Sequence, residues 1–269
     1  MLNNGIGQGD PLSIALYLFY NTDLVKIANA DKGEYTSAYI DNAIISASAD
    51  LFTEAHKKLK DMMTRDSGTI CWAKTHNSPF KLSKLMLIDF AHPSFPLHHP
   101  PLILPSITIS PTKSTKYLGL ILNQNLNWSE QIAYVQEKGS KWAAQICQAT
   151  RPSWGLTSKA AHKLYIGVAI PRILYGAEVW CIPIYGAANG GKCKGSIHTI
   201  RKLTTMQRVG TLAITRGFRT SPTDSLDAHM LILLMHLKIG RVLYQAAVWL
   251  TALLDSHSLS KQYCHHCGH

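Results

Sequence analysis

The sequence predicts an α+β fold, with antiparallel strands packed on helices in the first half of the chain and helices almost throughout the second. Three observations carry that expectation. Residues 1–90 alternate between helical and strand patterns. The run Thr36–Ser46 consists of two short apolar stretches meeting at Asp41-Asn42, the pattern of a tight β-hairpin. From Ser129 onward the apolar residues recur at helical spacing. At 269 residues, 46% hydrophobic and 16% charged, the chain can build one large or two small cores and is too apolar for disorder.

Taken in order, Asp10 suits an N-cap and Pro11 the first helical position, so a helix begins here and runs through Ile14–Val25. Gly5, Gly7 and Gly9 just ahead let the backbone approach another molecule closely, and the helix N-terminus favours a phosphate. A second helix is predicted from Leu51 to Arg65, with Leu51, Ala55, Leu59 and Met62 on one face. The apolar run Leu85–Phe90 is expected to return as a strand to the hairpin's sheet. The Pro- and His-rich stretch from His92 to Pro101 breaks regular structure. It leads to an alternating strand at Ile107–Ser110 and a hairpin at Tyr117-Leu118-Gly119.

Helices follow from Ser129 to about Ala149, from Ser158 to Trp180, over 197–214 and over 224–254. A Gly-rich loop near 186–196 separates the second from the third. The expected partition is 1–125, 126–185, the loop 186–196, 197–255 and a tail 256–269. Charged residues interrupt every apolar run before it reaches about eighteen residues, so a buried helix is expected rather than a membrane span. No signal peptide is recognisable, which points to an intracellular protein, nuclear or cytoplasmic.

The net charge of +11 is concentrated rather than spread. From Lys138 to Arg219 thirteen cations face a single acid, Glu178, for a local excess of +12. Such a field attracts phosphate backbones and steers their approach. A solvated basic surface of no consequence would read the same. Trp142, Trp154, Tyr165, Tyr175 and Trp180 interleave with the charge. They could stack on bases, but at helical spacing the preferred reading for most of them is core.

Six cysteines, at 71, 147, 181, 193, 264 and 267, are too scattered for a small disulfide framework. Cys71, Cys147 and Cys181 read as small core residues. Cys264 and Cys267, with His265, His266 and His269, look like half of a zinc site. No second ligand pair accompanies them, so an unstructured tail is the preferred reading over zinc.

Taken alone, Tyr39-Ile40-Asp41-Asn42 is an ordinary turn. Its neighbours give it more meaning. About thirty residues upstream stands Gly5-Ile6-Gly7-Gln8-Gly9-Asp10-Pro11-Leu12-Ser13. Downstream come Asn77-Ser78-Pro79-Phe80-Lys81-Leu82-Ser83-Lys84, then Thr115-Lys116-Tyr117-Leu118-Gly119-Leu120, then Pro171 to Trp180, and then Met206-Gln207-Arg208 with Pro222 to Leu226. In this order the segments resemble reverse transcriptases of the non-LTR (LINE-like) retrotransposon class, fungal-type elements included, over nearly all of residues 5–255.

The resemblance implies a partial polymerase palm, lacking its first strand and its fingers, followed by a thumb-like helical region. It implies that Asp41 binds catalytic Mg2+ or Mn2+, and that Gln8 and Gly9 face template and nucleotide. Tyr39 would pack near the primer end, and Lys84 would neutralise or protonate the pyrophosphate leaving group. Tyr117, Leu118 and Gly119 would lie in the primer grip. Lys138, Lys141, Arg151, Lys159 and Lys163 would follow the nucleic-acid backbone. The implied partners are an RNA/DNA duplex or a single strand, together with the preceding part of the same polyprotein. No membrane is among them.

Four departures bear on activity. Polymerase chemistry uses two cations bridging the attacking and leaving oxygens, and magnesium takes mainly carboxylate and phosphate oxygens. Here Asn42, a neutral amide, stands where the family has a second aspartate. The family's upstream acid lies before this chain begins. Gly7 replaces a usual proline, and Ile14 stands where another is frequent. The expectation is a catalytically impaired polymerase remnant. Asp23 and Asp89 are the remaining acids that could stand in, the first read as a helix-surface residue and the second as an exposed strand edge. A palm without its first strand should also leave a sheet edge and an apolar helix face uncovered, and so be marginally stable. Two rivals stay open: a non-catalytic RNA- or DNA-binding protein built on 138–219, and a non-functional retroelement relic.

Overall fold

A computed structural model of the chain describes residues 11–91, 99–150, 155–184 and 195–253. The chain divides into two compact units, Met1–Asn127 and Trp128–His269. The first opens with α1 (Pro11–Tyr20) and α2 (Thr22–Val25), followed by a 3-10 turn at Ala30–Lys32. Strands β1 (Glu34–Tyr39) and β2 (Asn42–Ala47), and helices α3 (Phe52–Thr64) and α4 (Thr69–Thr75), come next. A second 3-10 turn, Leu82–Lys84, leads to β3 (Leu102–Ile103), β4 (Thr108–Ile109), β5 (Ser114–Tyr117) and β6 (Leu120–Asn123).

The mixed α+β class is as the sequence predicts, but the strands do not share one sheet. They form three antiparallel hairpins, β1–β2, β3–β4 and β5–β6. The expected strand at Leu85–Phe90 is not formed. That segment meets a neighbour at one parallel bridge, Leu87 to Pro111, with Thr112 N–H donating to Leu87 O at 2.8 Å. Pro111 has no amide hydrogen, so the ladder cannot propagate past it.

The core of this unit gathers under α3. Met63, Leu87, Leu102 and Leu104 are buried together, with Ile45, Leu59, Ile70, Leu85, Ile107 and Ile109 packed around them. A second cluster joins Leu24, Trp72 and Ala73 to Tyr20, Ile27 and Phe80. On α3 the predicted face turns inward at Ala55, Leu59 and Met62, whereas Leu51 caps the helix and stays exposed. Helix α1 behaves differently. None of its residues is buried, and Leu12, Ile14, Leu16, Leu18 and Phe19 are all exposed, Phe19 to 80%.

The second unit is helical among its described residues. It contains α5 (Ser129–Ala149), α6 (Ser158–Leu164), a π-helical turn (Tyr165–Ala169), α7 (Ile170–Ile173), α8 (Ala177–Trp180), α9 (Ile197–Thr215), α10 (Thr223–His229) and α11 (Met235–Thr251). Helices α5 and α9 match their predicted spans. They approach closely at Gly139, where an added Cβ would lie 2.5 Å from Met206 Sδ.

The single helix expected over 158–180 is instead interrupted twice. Pro171 cannot donate within the helix and crowds the preceding turn, and the widened π turn directly before it accommodates the ring. Gly176, with φ of +65°, then separates α7 from α8. The helix expected over 224–254 also breaks, at 230–234, where Leu231 takes φ of +52°. Among the described residues no helix is long and apolar enough to cross a membrane.

Candidate functional site

The β1–β2 hairpin pairs Tyr39 with Asn42 and leaves Ile40 and Asp41 as its two-residue turn. The alternation of β1 sends Glu34, Thr36 and Ala38 toward the unit, and Tyr35, Ser37 and Tyr39 toward solvent. Asp41 and Asn42 are of the residue types that tolerate the left-handed backbone such a turn demands. The structure gives it to Ile40, at φ of +52°, and to neither of them. A β-branched residue there is a genuine outlier, and such strain persists only where surroundings enforce it. The enforcing contact comes from the junction of α1 and α2. Asn21, buried at that junction, donates its side-chain amide to the Ile40 carbonyl.

A second clamp holds the foot of the hairpin. Buried Glu34 accepts from Arg65 Nη2 at 3.0 Å and Nη1 at 3.3 Å, and from the Asn29 N–H at 3.1 Å. Burial alone would raise the Glu34 pKa. The Arg65 hydrogen bonds, the Asn29 N–H and the charges of Arg65 and Lys32 outweigh it, so the carboxyl titrates below its ordinary value.

At the turn itself Asp41 is exposed, and its Oδ1 accepts from Asn42 Nδ2 at 3.0 Å. Asn42 thus acts as a donor to the one carboxylate of the turn, not as a second oxygen ligand beside it. Among the described residues no group of three His, Cys, Asp or Glu side chains could hold a metal ion. One carboxylate, with an amide that donates to it, supplies fewer oxygen ligands at this turn than a pair of cations takes.

Tyr39 is exposed on the outer face of the hairpin, and Lys84 ends the exposed 3-10 turn at Leu82–Lys84 rather than lying beside a palm-edge strand. Tyr117, Leu118 and Gly119 do form the β5–β6 turn, with φ of +46° at Leu118 and +86° at Gly119. Gln8, Gly9 and Arg151 lie outside the described residues, as do Trp154, Cys193, Cys264 and Cys267. Asp23 is a helix-surface residue, as expected, 3.8 Å from Lys26.

Asp89 is a correction. It is buried rather than on an exposed edge, with Oδ1 2.8 Å from His56 Nε2 and Oδ2 3.1 Å from His99 Nδ1. This cluster ties α3 to the chain entering β3. Neither it nor the Asn21 clamp has a sequence signature, because each joins residues far apart in the chain. The cysteines need correcting too. Among the described cysteines only Cys181 is a core residue, its thiol pushed up by burial, while Cys71 is half-buried and Cys147 exposed.

In the helical unit Lys138 and Lys141 on α5, and Lys159 and Lys163 on α6, are all exposed. Lys141 Nζ lies 2.6 Å from Glu137 Oε1, so its charge is internally engaged. Lys138 instead lies over the Tyr134 ring, 4.5 Å from its centroid, and Arg172 of α7 lies 5.2 Å from the Trp142 centroid. Tyr165 and Trp180 are core, whereas Tyr175 is exposed and Trp142 half-buried.

Homologues of the chain are Pol polyproteins of R1 non-LTR retrotransposable elements. It is similar to the retrovirus-related Pol polyprotein from type-1 retrotransposable element R1 4 of Nasonia vitripennis, 30% identical over 118 residues, which are 44% of this chain and 27% of that protein. The R1 3 counterpart from the same organism is 28% identical over 112 residues, 42% of this chain and 28% of the relative. The R1 polyprotein of Bradysia coprophila is 26% identical over 183 residues, 66% of this chain and 17% of the relative. The chain thus spans between about a sixth and about a quarter of the length of these curated relatives. No family model and no solved structure matches it.

Proposed function

We propose that this chain corresponds to the palm and thumb of a retroelement RNA-directed DNA polymerase whose catalytic turn is impaired, and that it retains binding of RNA/DNA duplexes or single strands. The observation that carries the reading is the Asp41-Asn42 turn. It stands at the tip of a hairpin under tertiary constraint, in a chain whose homologues are retrotransposon Pol polyproteins. One carboxylate that already accepts from its neighbouring amide is a poor anchor for paired cations, and no catalytic step is assigned to it.

The remaining roles follow the same reading. Gln8, Gly9 and Tyr39 would face template, nucleotide and primer end, with Lys84 near the leaving group. The Tyr117-Leu118-Gly119 turn would grip the primer, and Lys138, Lys141, Arg151, Lys159 and Lys163 would meet phosphates. The uncovered apolar faces of α1 are where a preceding part of such a polyprotein would pack.

Primer extension on an RNA template annealed to a DNA primer, with magnesium or manganese, tests the proposal beside an Asp41→Ala control. The expected result is no extension, with salt-sensitive duplex binding that Asp41→Ala leaves unaltered. Extension abolished by Asp41→Ala would show the chemistry to be intact. Failure to bind any nucleic acid would remove the reading altogether.

A further inference from the structure

Tyr134, Lys138 and Trp142 follow one another at four-residue intervals along α5, so they form a single ridge. The ridge borders the buried stripe of Gln131, Val135, Gly139 and Ile146, beside which Arg172 arrives from α7. Lys138 on the ridge and Arg172 beside it are both exposed, and each is laid on an aromatic ring. Among the described residues no carboxylate pairs with either of them, in contrast to Lys141 with Glu137.

We infer that Lys138 and Arg172, each held by its ring, form a preordered phosphate-binding pair that takes neighbouring phosphates of one nucleic-acid strand. The inference rests on the nucleic-acid-binding reading above and assigns it a surface. A free lysine or arginine must lose its rotamer freedom when it meets a phosphate. A cation already lying on a ring has lost much of that freedom beforehand. The ring attracts the cation without neutralising it, so the full charge stays available. A guanidinium over a ring also keeps its N–H edge open for two parallel bonds to phosphate oxygens.

Spacing is consistent with this partner. Lys138 and Trp142 are separated by about 6 Å of helix axis. That matches the reach of two or three successive phosphates, at roughly 3.4 Å of duplex axis each along one strand.

The test is fluorescence anisotropy of the full chain with an RNA/DNA duplex and with single-stranded RNA, over a series of salt concentrations. Circular dichroism monitors folding of each variant. Tyr134→Leu and Trp142→Leu change no charge, yet each should weaken binding by about three- to tenfold. Tyr134→Phe and Trp142→Phe keep a ring and should retain most affinity, which separates the ridge from a folding defect. Lys138→Gln and Arg172→Gln should weaken binding and lower the salt slope by about one each. Lys159→Gln, at a cation with no ring beneath it among the described residues, should cost less than Lys138→Gln.

Wild-type affinity in both leucine variants would overturn the inference. So would equal losses for Lys159→Gln and Lys138→Gln, because a diffuse basic field would then suffice and the binding reading alone would survive. A wild-type chain that binds neither nucleic acid would overturn both.

Discussion

The side-chain amide of Asn21 donates to the carbonyl of Ile40, so the junction of α1 and α2 holds the turn that presents Asp41. The contact links two residues nineteen apart in sequence, and it sits on the one strained backbone position of the hairpin. Removing it should free the turn. Asn21→Ala is expected to cost about 1 kcal/mol, since a half-buried carbonyl loses its partner. Urea unfolding followed by circular dichroism reads the cost. A variant as stable as the parent would mean that Ile40 is held by its strands alone.

Glu34 should make the first unit acid-sensitive. Its folded pKa lies below the unfolded value of 4.5, so its stabilisation is present above that value and is lost as pH falls through the folded pKa. Glu34→Gln leaves Arg65 facing a neutral amide and is expected to cost about 3 kcal/mol at neutral pH. The variant should also lose the acid-limb slope of the stability profile. Identical slopes in the two proteins would count against the pair.

Asp227 predicts the opposite dependence in the helical unit. It is buried, with Oδ2 accepting from Gln207 Nε2 at 2.7 Å, and its Oδ1 and Gln207 Oε1 find no hydrogen-bond partner among the described residues. Burial raises its pKa above the ordinary 3.8, against the lowering effects of the Gln207 bond and the Lys238 charge; Asp224 adds to the rise. A raised folded pKa contributes stability that is full below 3.8 and lost as pH rises through the folded value. Asp227→Asn can keep the amide contact without titrating, so its stability should be flat over that window. Thermal melts at a series of pH values distinguish the two profiles.

Two glycines should respond to alanine with opposite signs. At Gly210 an added Cβ would lie 2.9 Å from Cε2 of the buried Tyr165 ring, so Gly210→Ala should destabilise by about 1–3 kcal/mol. At Gly240 in α11 nothing stands within 4 Å, and Gly240→Ala should stabilise by about 0.5–1 kcal/mol through helix propensity. Chemical denaturation of the two single variants is the check. Equal effects would contradict the packing of α9 on the π turn.

The exposed faces of α1 predict self-association. Leu12→Ser with Phe19→Ser should raise the concentration at which the chain stays monodisperse, and it should leave the melting temperature within about 2 °C because neither side chain is buried. Light scattering and a thermal melt test both halves. A large fall in melting temperature would place these residues in a core instead.

By itself the sequence determined what local chemistry and periodicity can set. Those are the hairpin at Asp41, the Leu118-Gly119 turn, helices α3, α5 and α9, the mixed class, and the basic excess after Lys138. In each case the residues that decide the outcome are neighbours in the chain. Tertiary structure decided what distant residues decide together. Pro111 opposite Leu87 ended a ladder that the run Leu85–Phe90 would otherwise support, and two histidines drew Asp89 into the interior. Asn21 clamps the turn at Ile40, the residue that takes the left-handed backbone, and Arg172 of α7 lies on Trp142. The physical reason is common to all four. A pattern of spacing specifies which face a side chain occupies, whereas its hydrogen-bond partner and its burial depend on which distant segment folds against that face.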